Sequence, residues 1–221
     1  MVVREISYEL SKELILNHHY AHRMPLISRV FGLFEDSLFF DNFELIGVCS
    51  IGKPASNTLC FGICGEEYSD KVLELNRLFV KGTQPKNTTS WFLGQVLKKL
   101  KKDDLILVSY ADTAMNHNGY IYQATNWIYT GITPSRTDVY VSDGKHSRHM
   151  PLNDRKNKHL RTVRSSKHRY VYFTGRGKRK YLKNLNYEVQ PYPKGENKNY
   201  KKGDVLQKEI INTVSGETFY E

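Results

Sequence analysis

Residues 72–109 of the chain are VLELNRLFVKGTQPKNTTSWFLGQVLKKLKKDDLILVS, and they contain its clearest structural pattern. The first nine of these residues are mostly apolar and predict a strand. A polar loop with Gly82 and Pro85 follows, and residues 91–102 then carry apolar side chains at helical spacing. Residues 103–109 include four consecutive apolar residues, as in a strand that is buried on both faces. The segment therefore predicts a strand, a loop, a helix and a second strand.

The flanking sequence predicts further elements around this segment. Helical spacing is found over residues 7–21, where Ser7 can cap the first turn, and over residues 119–129. Strand-like stretches cover residues 26–34, 43–51, 58–64, 137–142, 169–173 and 187–192. An antiparallel stretch followed by alternating helices and strands predicts an α/β (α+β) fold with a mixed central sheet.

The charge of the chain is unevenly distributed. The 221 residues carry a formal net charge of +10 at pH 7. Residues 145–202 contain 18 Lys and Arg but three acidic residues, a net charge of +15, whereas the rest of the chain has a net charge of −5. Tyrosines are interleaved with these cations. Because cations bind phosphates and planar rings stack on bases, the pattern favours nucleic acid as a partner over a solvated charged surface or an acidic membrane.

This distribution divides the chain into three segments. We expect a catalytic core over residues 1–143, a basic, aromatic-rich part over residues 144–203 that binds nucleic acid and completes the domain, and a tail over residues 204–221. The chain has no run of about 18 apolar residues, so no membrane span is expected. An odd count of three cysteines and the lack of a signal-peptide pattern predict a reduced, cytoplasmic location. The residues expected to bind nucleic acid are Arg169, Arg176, Lys178, Arg179, Lys180 and Lys183.

Two polar segments are candidate binding sites for small molecules. The loop before the helix at residues 91–102 combines a helix N-terminus with Lys86, Thr88 and Thr89, which suits an anion such as pyrophosphate. An ordinary capped helix is the alternative interpretation of that loop. Asp112 follows a buried strand, where open α/β sheets place residues that contact ligands. A helix-capping role is the alternative for Asp112.

Histidines and cysteines are the candidate metal ligands of the sequence. His18 and His22 are one helical turn apart, a spacing that permits shared ligation of zinc or iron. A histidine-rich helix end beside the negative end of the helix dipole is the alternative. Cys60 and Cys64 lack the close pairing of a zinc ribbon, so buried small apolar residues are the better interpretation.

Several blocks of the sequence resemble the Mom family of phage DNA modification proteins. In chain order they are His19-Tyr20, GICGEEY (62–68), ELNRL (74–78), SYADT (109–113), YQATNWIYTG (122–131) and HRYVYF (168–173). Together the blocks cover approximately residues 15–195.

The resemblance implies a divergent GNAT-like acyltransferase fold with a basic C-terminal extension. It implies an enzyme, encoded by a phage or prophage, that converts adenine in double-stranded DNA to N6-carbamoylmethyladenine and so protects phage DNA from host restriction. A monomer and a homodimer are both compatible with it. The family's functional positions correspond to Arg77, Asp112 and Tyr122, and to Tyr20 as a further catalytic residue. The implied cofactors are Fe(II), held by His19 and Tyr20, and acetyl-CoA or another small carbon or nitrogen donor.

The chemistry of that product leaves the donor open. Acetyl transfer gives an amide, whereas a carbamoylmethyl group joins N6 to a methylene carbon. The methyl carbon of acetyl-CoA would have to be oxidised, as a redox metal could do, whereas a glycine-derived donor already carries nitrogen on its α-carbon. Two other functions compete: a conventional acyl-CoA N-acetyltransferase, active without DNA, and a non-catalytic DNA-binding protein on the same scaffold.

Overall fold

The computed structural model describes residues 1–19, 22–36, 43–141, 158–195 and 209–221. The helices are α1 (Tyr8–His18), α2 (Asn57–Cys64), α3 (Thr88–Lys99), α4 (Tyr120–Ala124) and α5 (Lys178–Lys183). The strands are β1 (Val2–Glu5), β2 (Arg29–Asp36), β3 (Phe43–Gly52), β4 (Val72–Val80), β5 (Ile106–Asp112), β6 (Ile128–Thr133), β7 (Arg136–Val139), β8 (Leu160–Arg164), β9 (Lys167–Phe173), β10 (Glu209–Asn212) and β11 (Thr218–Tyr220). In these ranges no helix is long and apolar enough to cross a membrane.

Seven strands form the main sheet, in the order β1-β2-β3-β4-β5-β9-β6. All neighbours are antiparallel except β4 and β5, which are parallel. A parallel pair needs a crossover, and the loop at residues 81–87 followed by α3 supplies it. The predicted mixed sheet is therefore confirmed. β9, from the basic segment, lies between β5 and β6.

β4 and β5 pair over their first residues and then diverge. Their pairing ends where Glu74 lies opposite Val108. On the other edge of β4 the register with β3 shifts, because Asn76 is an extra residue between Leu75 and Arg77. A β-bulge of this kind bends its strand. The bulge therefore turns the second half of β4 away from β5 and opens the sheet at that point.

Helices cover both faces of the main sheet. The alternating side chains of β5 show which helices lie on which face: Leu107 and Ala111 pack with α3, whereas Ile106 and Val108 pack with α2 and α5. We call these the α3 face and the α5 face. α4 joins the α3 face, where Tyr122 packs against the core. α1 packs on the β2, β3 and β4 side chains of the α5 face.

A second sheet has the order β11-β10-β8-β7, and all its neighbours are antiparallel. β7 and β8 fall between β6 and β9 in the chain, and the two last strands add to the free edge of β8. The segment that was expected to be a tail, residues 204–221, thus contributes β10 and β11 to this sheet.

The first wrong prediction is the strand over residues 58–64, which is α2. Cys60 and Cys64 lie one turn apart on its buried face, and both are free thiols. Gly65 ends the helix with φ 95°, a conformation that a side chain would strain. A short apolar run fits a buried helix as well as a strand, so the pattern alone was ambiguous.

The predicted helix over residues 119–129 is also too long. α4 ends at Ala124, and Asn126 with φ 60° turns the chain into β6. Residues 187–192 form no strand. They instead run along the end of the main sheet, where the Gln190 N–H donates to the Tyr129 carbonyl (3.0 Å) and the Tyr192 hydroxyl to the Trp127 carbonyl (2.7 Å).

Candidate active site where β4 and β5 diverge

Ser109 of β5 lies on the α3 face, at the point where β4 and β5 diverge. Its Oγ lies 2.9 Å from the Leu75 carbonyl oxygen of β4 and 2.7 Å from the Tyr122 hydroxyl oxygen of α4. Ser109 Oγ is the donor in both contacts, so its one hydrogen is shared between the Leu75 carbonyl and the Tyr122 hydroxyl. The Tyr122 ring is held between Trp127 and Tyr170, with centroid distances of 5.2 and 5.1 Å. Packing and hydrogen bonding thus fix the Tyr122 hydroxyl at the divergence.

Arg77 lies on the α5 face, directly after the bulge. Its guanidinium donates to the Arg23 carbonyl from Nε (3.3 Å) and Nη2 (3.1 Å), and to the Asn76 carbonyl from Nη1 (2.6 Å). His19, at the end of α1, is buried. Burial, the Arg77 cation and His22 together lower the pKa of His19 to about 3, so its imidazole is neutral.

Asp112, at the end of β5, is surrounded by hydrogen-bond donors. Oδ1 accepts from the Ser165 hydroxyl (2.5 Å) and the Ala114 N–H (3.0 Å), and Oδ2 accepts from Lys167 Nζ (2.5 Å). Burial favours the neutral acid, but the bonds from Lys167 and Ser165 outweigh it and hold the pKa of Asp112 below its usual range. Asp112 is therefore a fixed anion, and its bond to the Ala114 N–H is a capping contact.

Glu74 is the last β4 residue paired with β5, and the structure leaves it partly exposed. Burial raises its pKa, and the cations of Arg77 and Lys167 only partly oppose this. Tyr110 of β5 lies close enough for the Glu74 charge to raise its pKa, in addition to the larger effect of burial. The divergence therefore holds two carboxyl groups on one face, in opposite environments.

The N-terminus of α3 opens on the other face of the sheet. The preceding residue, Asn87, is left-handed (φ 71°) and its side chain makes no capping bond. The Thr88 N–H and hydroxyl both donate to the Pro85 carbonyl, at 3.2 and 2.8 Å. An uncapped helix N-terminus beside the exposed Lys86 and the partly exposed Thr89 fits an anionic group such as a pyrophosphate. The Thr88 side chain is already engaged.

The described residues do not fit an iron site. They contain no group of three or more His, Cys, Asp or Glu residues that could hold a metal ion. The predicted pair of His18 and His22 does not lie on one helix, because α1 ends at His18; the His18 ring stacks on Phe79 and His22 Nδ1 lies 2.8 Å from the Leu16 carbonyl oxygen. His19 is neutral, as a ligand must be, but the Arg77 cation acts on it and would repel a metal ion. Tyr20 lies outside the described residues.

The predicted DNA-binding residues occupy two different environments. Arg169 of β9 donates to Thr130 (2.9 Å from both Nε and Nη2) and lies 3.3 Å over the Tyr187 ring, so it braces the fold. The others are exposed on α5 or just before it, around the buried anchor Tyr181, and they are Arg176, Lys178, Arg179, Lys180 and Lys183. Lys180 additionally lies 3.7 Å from Glu67. Much of the basic segment, residues 144–157 and 196–203, lies outside the described structure.

The structure brings Arg77 and Asp112 to one face of the divergence and Tyr122 to the other. Sequence reasoning missed Glu74, Lys167 and Ser165 as members of the site. The register of β9 against β5 pairs Lys167 with Asp112, although they are 55 residues apart in the chain. Such pairing cannot be read from local spacing. The available signals for Glu74 were its position inside a mostly apolar strand and its place in the ELNRL block (74–78).

Comparisons with known protein families, sequences and structures agree with the resemblance and the fold described above. The model of the Mom protein family matches residues 1–194. The methylcarbamoylase Mom of Escherichia phage Mu is 26% identical over 208 residues, covering 87% of this chain and 83% of that protein. Among solved structures, NAA60 of Arabidopsis thaliana in complex with acetyl-CoA matches with a TM-score of 0.51 at 11% identity, over 78% of this chain and 97% of that one. The fold is that of the GNAT acetyltransferases, as expected.

Proposed function

Because the chain belongs to the Mom protein family, we propose that it modifies DNA by converting adenine to N6-carbamoylmethyladenine, and thereby protects phage DNA from host restriction. One observation carries the proposal. The uncapped N-terminus of α3 lies on one face of the sheet, and the basic helix α5, anchored by Tyr181 to Asp104 just before β5, packs on the other. A donor can therefore approach from the α3 face while DNA approaches from the α5 face, and the two meet at the opening in the sheet.

DNA is proposed to lie along α5. The exposed cations of this helix suit the phosphate backbone, which supplies most of the affinity of such contacts. Adenine N6 is base-paired inside the duplex and conjugated with the ring. Enzymes that act on such atoms extrude the base, and the ring of Tyr110 on the α5 face offers a stacking surface for it.

The three family positions receive separate roles in this proposal. Arg77 can hold a phosphate or a donor carboxylate through its planar fork. Asp112, fixed by Lys167 and Ser165, orients the amine by accepting an N6–H hydrogen bond. The Tyr122 hydroxyl accepts a hydrogen bond from Ser109 and can give its own proton to a leaving group. Tyr20 keeps its predicted catalytic role as a proposal without a structural account.

The donor is proposed to be either acetyl-CoA or a glycine-derived compound. An acetyl-CoA pyrophosphate would contact Lys86 and the N–H groups at the start of α3, and when bound the cofactor would supply two carbons as a thioester. Cells fed with ¹³C-labelled acetate or glycine separate the two classes, because only the correct precursor labels the added methylene carbon.

The test is mass spectrometry of nucleosides from plasmid DNA of expressing cells. The wild-type chain should yield N6-carbamoylmethyldeoxyadenosine, and the plasmid should resist restriction enzymes that are sensitive to adenine modification. Asp112→Asn keeps the size of the side chain and removes its charge, and it should abolish the modified base while DNA binding persists. Normal modification by that variant would show that the reaction does not need the Asp112 carboxylate.

A conventional acyl-CoA N-acetyltransferase is the second candidate, and the uncapped N-terminus of α3 favours it. It predicts acetylation of a protein or polyamine amine in the absence of DNA, with no modified adenine. Acetyl transfer to a panel of amines, measured without DNA, distinguishes it from the first candidate.

A further inference from the structure

The loop that leads into β2, which we call the 22–28 loop after its residues, is fixed to the sheet through its backbone. Asn76, the bulge residue of β4, donates from Nδ2 to the Leu26 carbonyl (2.9 Å) and accepts at Oδ1 from Ser50 Oγ (2.6 Å). Gly52 leaves room for the same carbonyl, because a Cβ on Gly52 would lie 1.8 Å from the Leu26 oxygen. The main chain at Leu26 is therefore held against both β3 and β4.

Both ends of the 22–28 loop are attached to the sheet as well. The Arg77 guanidinium donates to the Arg23 carbonyl from Nε (3.3 Å) and Nη2 (3.1 Å). At the other end, the Ser28 N–H donates to the Ile51 carbonyl of β3 (2.8 Å). Because Arg77 lies on the α5 face, these contacts place the loop on that face and restrain it along its length.

The apolar side chains of the 22–28 loop have different surroundings. Met24 and Ile27 pack against the apolar cluster beneath α1. Leu26, between them, is 69% exposed, the largest exposed fraction of any leucine in the described ranges. A restrained main chain thus holds one apolar side chain out in solvent, where covering it with a partner is favourable.

Leu26 lies at the edge of the opening between β4 and β5. Gly52, which faces its carbonyl, pairs with Glu74, the last β4 residue that also pairs with β5. Arg23 of the same loop is exposed, and the exposed cations of α5 are on the same face of the sheet. Cations beside an apolar side chain suit DNA, because phosphates bind the cations and the base stack accepts apolar side chains such as leucine.

We propose that Leu26 enters the DNA base stack and fills the space that the target adenine leaves when it is extruded into the opening. The inference rests on the proposed function. Extrusion exposes the faces of the two neighbouring bases, and an apolar side chain in the gap covers them and hinders the return of the adenine. Tyr110 of β5 contacts the extruded base, while Leu26 of the 22–28 loop occupies its former place in the duplex.

A duplex with an abasic site tests this proposal, because its gap exists before the protein binds. Fluorescence anisotropy compares the affinity of the full chain for a short duplex with one abasic nucleotide opposite thymine and for the intact A·T duplex. Wild type should prefer the abasic duplex. Leu26→Ala should lower that preference by about tenfold, the effect of losing most of a buried leucine side chain, and leave the affinity for the intact duplex unchanged. Leu26→Met keeps a large apolar side chain and should retain most of the preference.

Two other variants separate insertion into DNA from general effects. Leu10→Ala is the matched control, since Leu10 is a leucine of α1 that is 49% exposed, and it should keep the wild-type preference. Asn76→Asp keeps an acceptor for Ser50 and removes the donor to the Leu26 carbonyl. It should loosen the 22–28 loop, which faster trypsin cleavage after Arg23 would show, and should lower the preference although Leu26 is intact. Leu26→Ala should unfold at the wild-type temperature, because the side chain is exposed.

The role of Leu26 and the proposed reaction can fail separately. Equal affinity of wild type for the two duplexes, or an undiminished preference in Leu26→Ala, would overturn the role of Leu26. So would a wild type that is dimeric in size-exclusion chromatography and a Leu26→Ala variant that is monomeric, because Leu26 would then pack against a second copy. A wild type that keeps the Leu26-dependent preference but leaves adenine unmodified in nucleoside mass spectrometry would overturn the proposed reaction alone.

Discussion

Replacing Lys167 by Met tests whether Asp112 is held as a fixed anion. Lys167 Nζ lies 2.5 Å from Asp112 Oδ2, and their side chains are 40% and 11% exposed. Methionine keeps most of the length and apolar surface of the lysine and removes its charge. Asp112 would keep its bonds from Ser165 and Ala114, so the variant removes one of three donors from a largely buried carboxylate.

The expected loss of stability is about 1 kcal/mol at pH 7. A hydrogen bond to a charged group contributes about 1.5 to 3 kcal/mol when it is buried, whereas an exposed ion pair contributes about 0 to 1 kcal/mol. The exposure of Lys167 places this pair between the two limits, because water replaces part of the lost interaction. Lys12→Met is the matched control, since Lys12 lies 2.8 Å from Glu9 in an exposed pair, and it should change stability much less than Lys167→Met.

The pH dependence gives the sharper criterion. The folded-state pKa of Asp112 is depressed, so the stability that its ionisation contributes is present above its unfolded pKa of about 3.9 and is lost as the pH falls through the lower folded value. Urea unfolding of wild type and Lys167→Met at several pH values should show a difference that is full at pH 7 and shrinks in acid. A difference that stays constant from neutral to acid pH would refute the ion-pair account.

Three other predictions test separate parts of the molecule. Tyr122→Phe removes the hydroxyl that accepts from Ser109, so it should cost about 1 kcal/mol of stability in urea unfolding and abolish modified adenine in nucleoside mass spectrometry. Gly119→Ala should destabilise the protein by about 3 kcal/mol or more, because φ is 72° and the new Cβ would lie 2.4 Å from the Tyr170 ring. Gly94→Ala in α3 is the control, since its Cβ meets nothing within 4 Å, and it should stabilise the protein by about 0.5 to 1 kcal/mol. Neutralising the four cations of α5 (Lys178, Arg179, Lys180 and Lys183) should weaken DNA binding and reduce its salt slope by about 2 to 4. The same change in four exposed lysines in the last turn of α3 and just after it should not; these are Lys98, Lys99, Lys101 and Lys102.

The central part of the fold could be predicted because its local signals agree. β4 matches its predicted range, and α3 and β5 match within a few residues, since each joins a clear periodicity to a polar boundary. The α2 segment failed because eight mostly apolar residues satisfy both helix and strand patterns. β1 was not predicted, because its four residues are too few to show a clear alternation of polar and apolar side chains. Only its pairing with β2 defines it as a strand.

The candidate site could be predicted only in part, for a similar reason. Arg77, Asp112 and Tyr122 were found through family resemblance, and Asp112 also through its place after a buried strand. Glu74 and Lys167 join them through a bulge and a strand register, which depend on contacts between distant segments. Local sequence also could not show that Arg169 on β9 is held by contacts with Thr130 and Tyr187, whereas the predicted DNA-binding cations on α5 remain exposed.

The central claim is that this chain modifies adenine in DNA through the opening between β4 and β5. The most direct test is mass spectrometry of nucleosides from plasmid DNA of cells expressing wild type, Asp112→Asn or no protein. The account predicts a deoxyadenosine that carries a carbamoylmethyl group in the wild-type sample alone. Unmodified deoxyadenosine in the wild-type sample, or equal modification by Asp112→Asn, would contradict it.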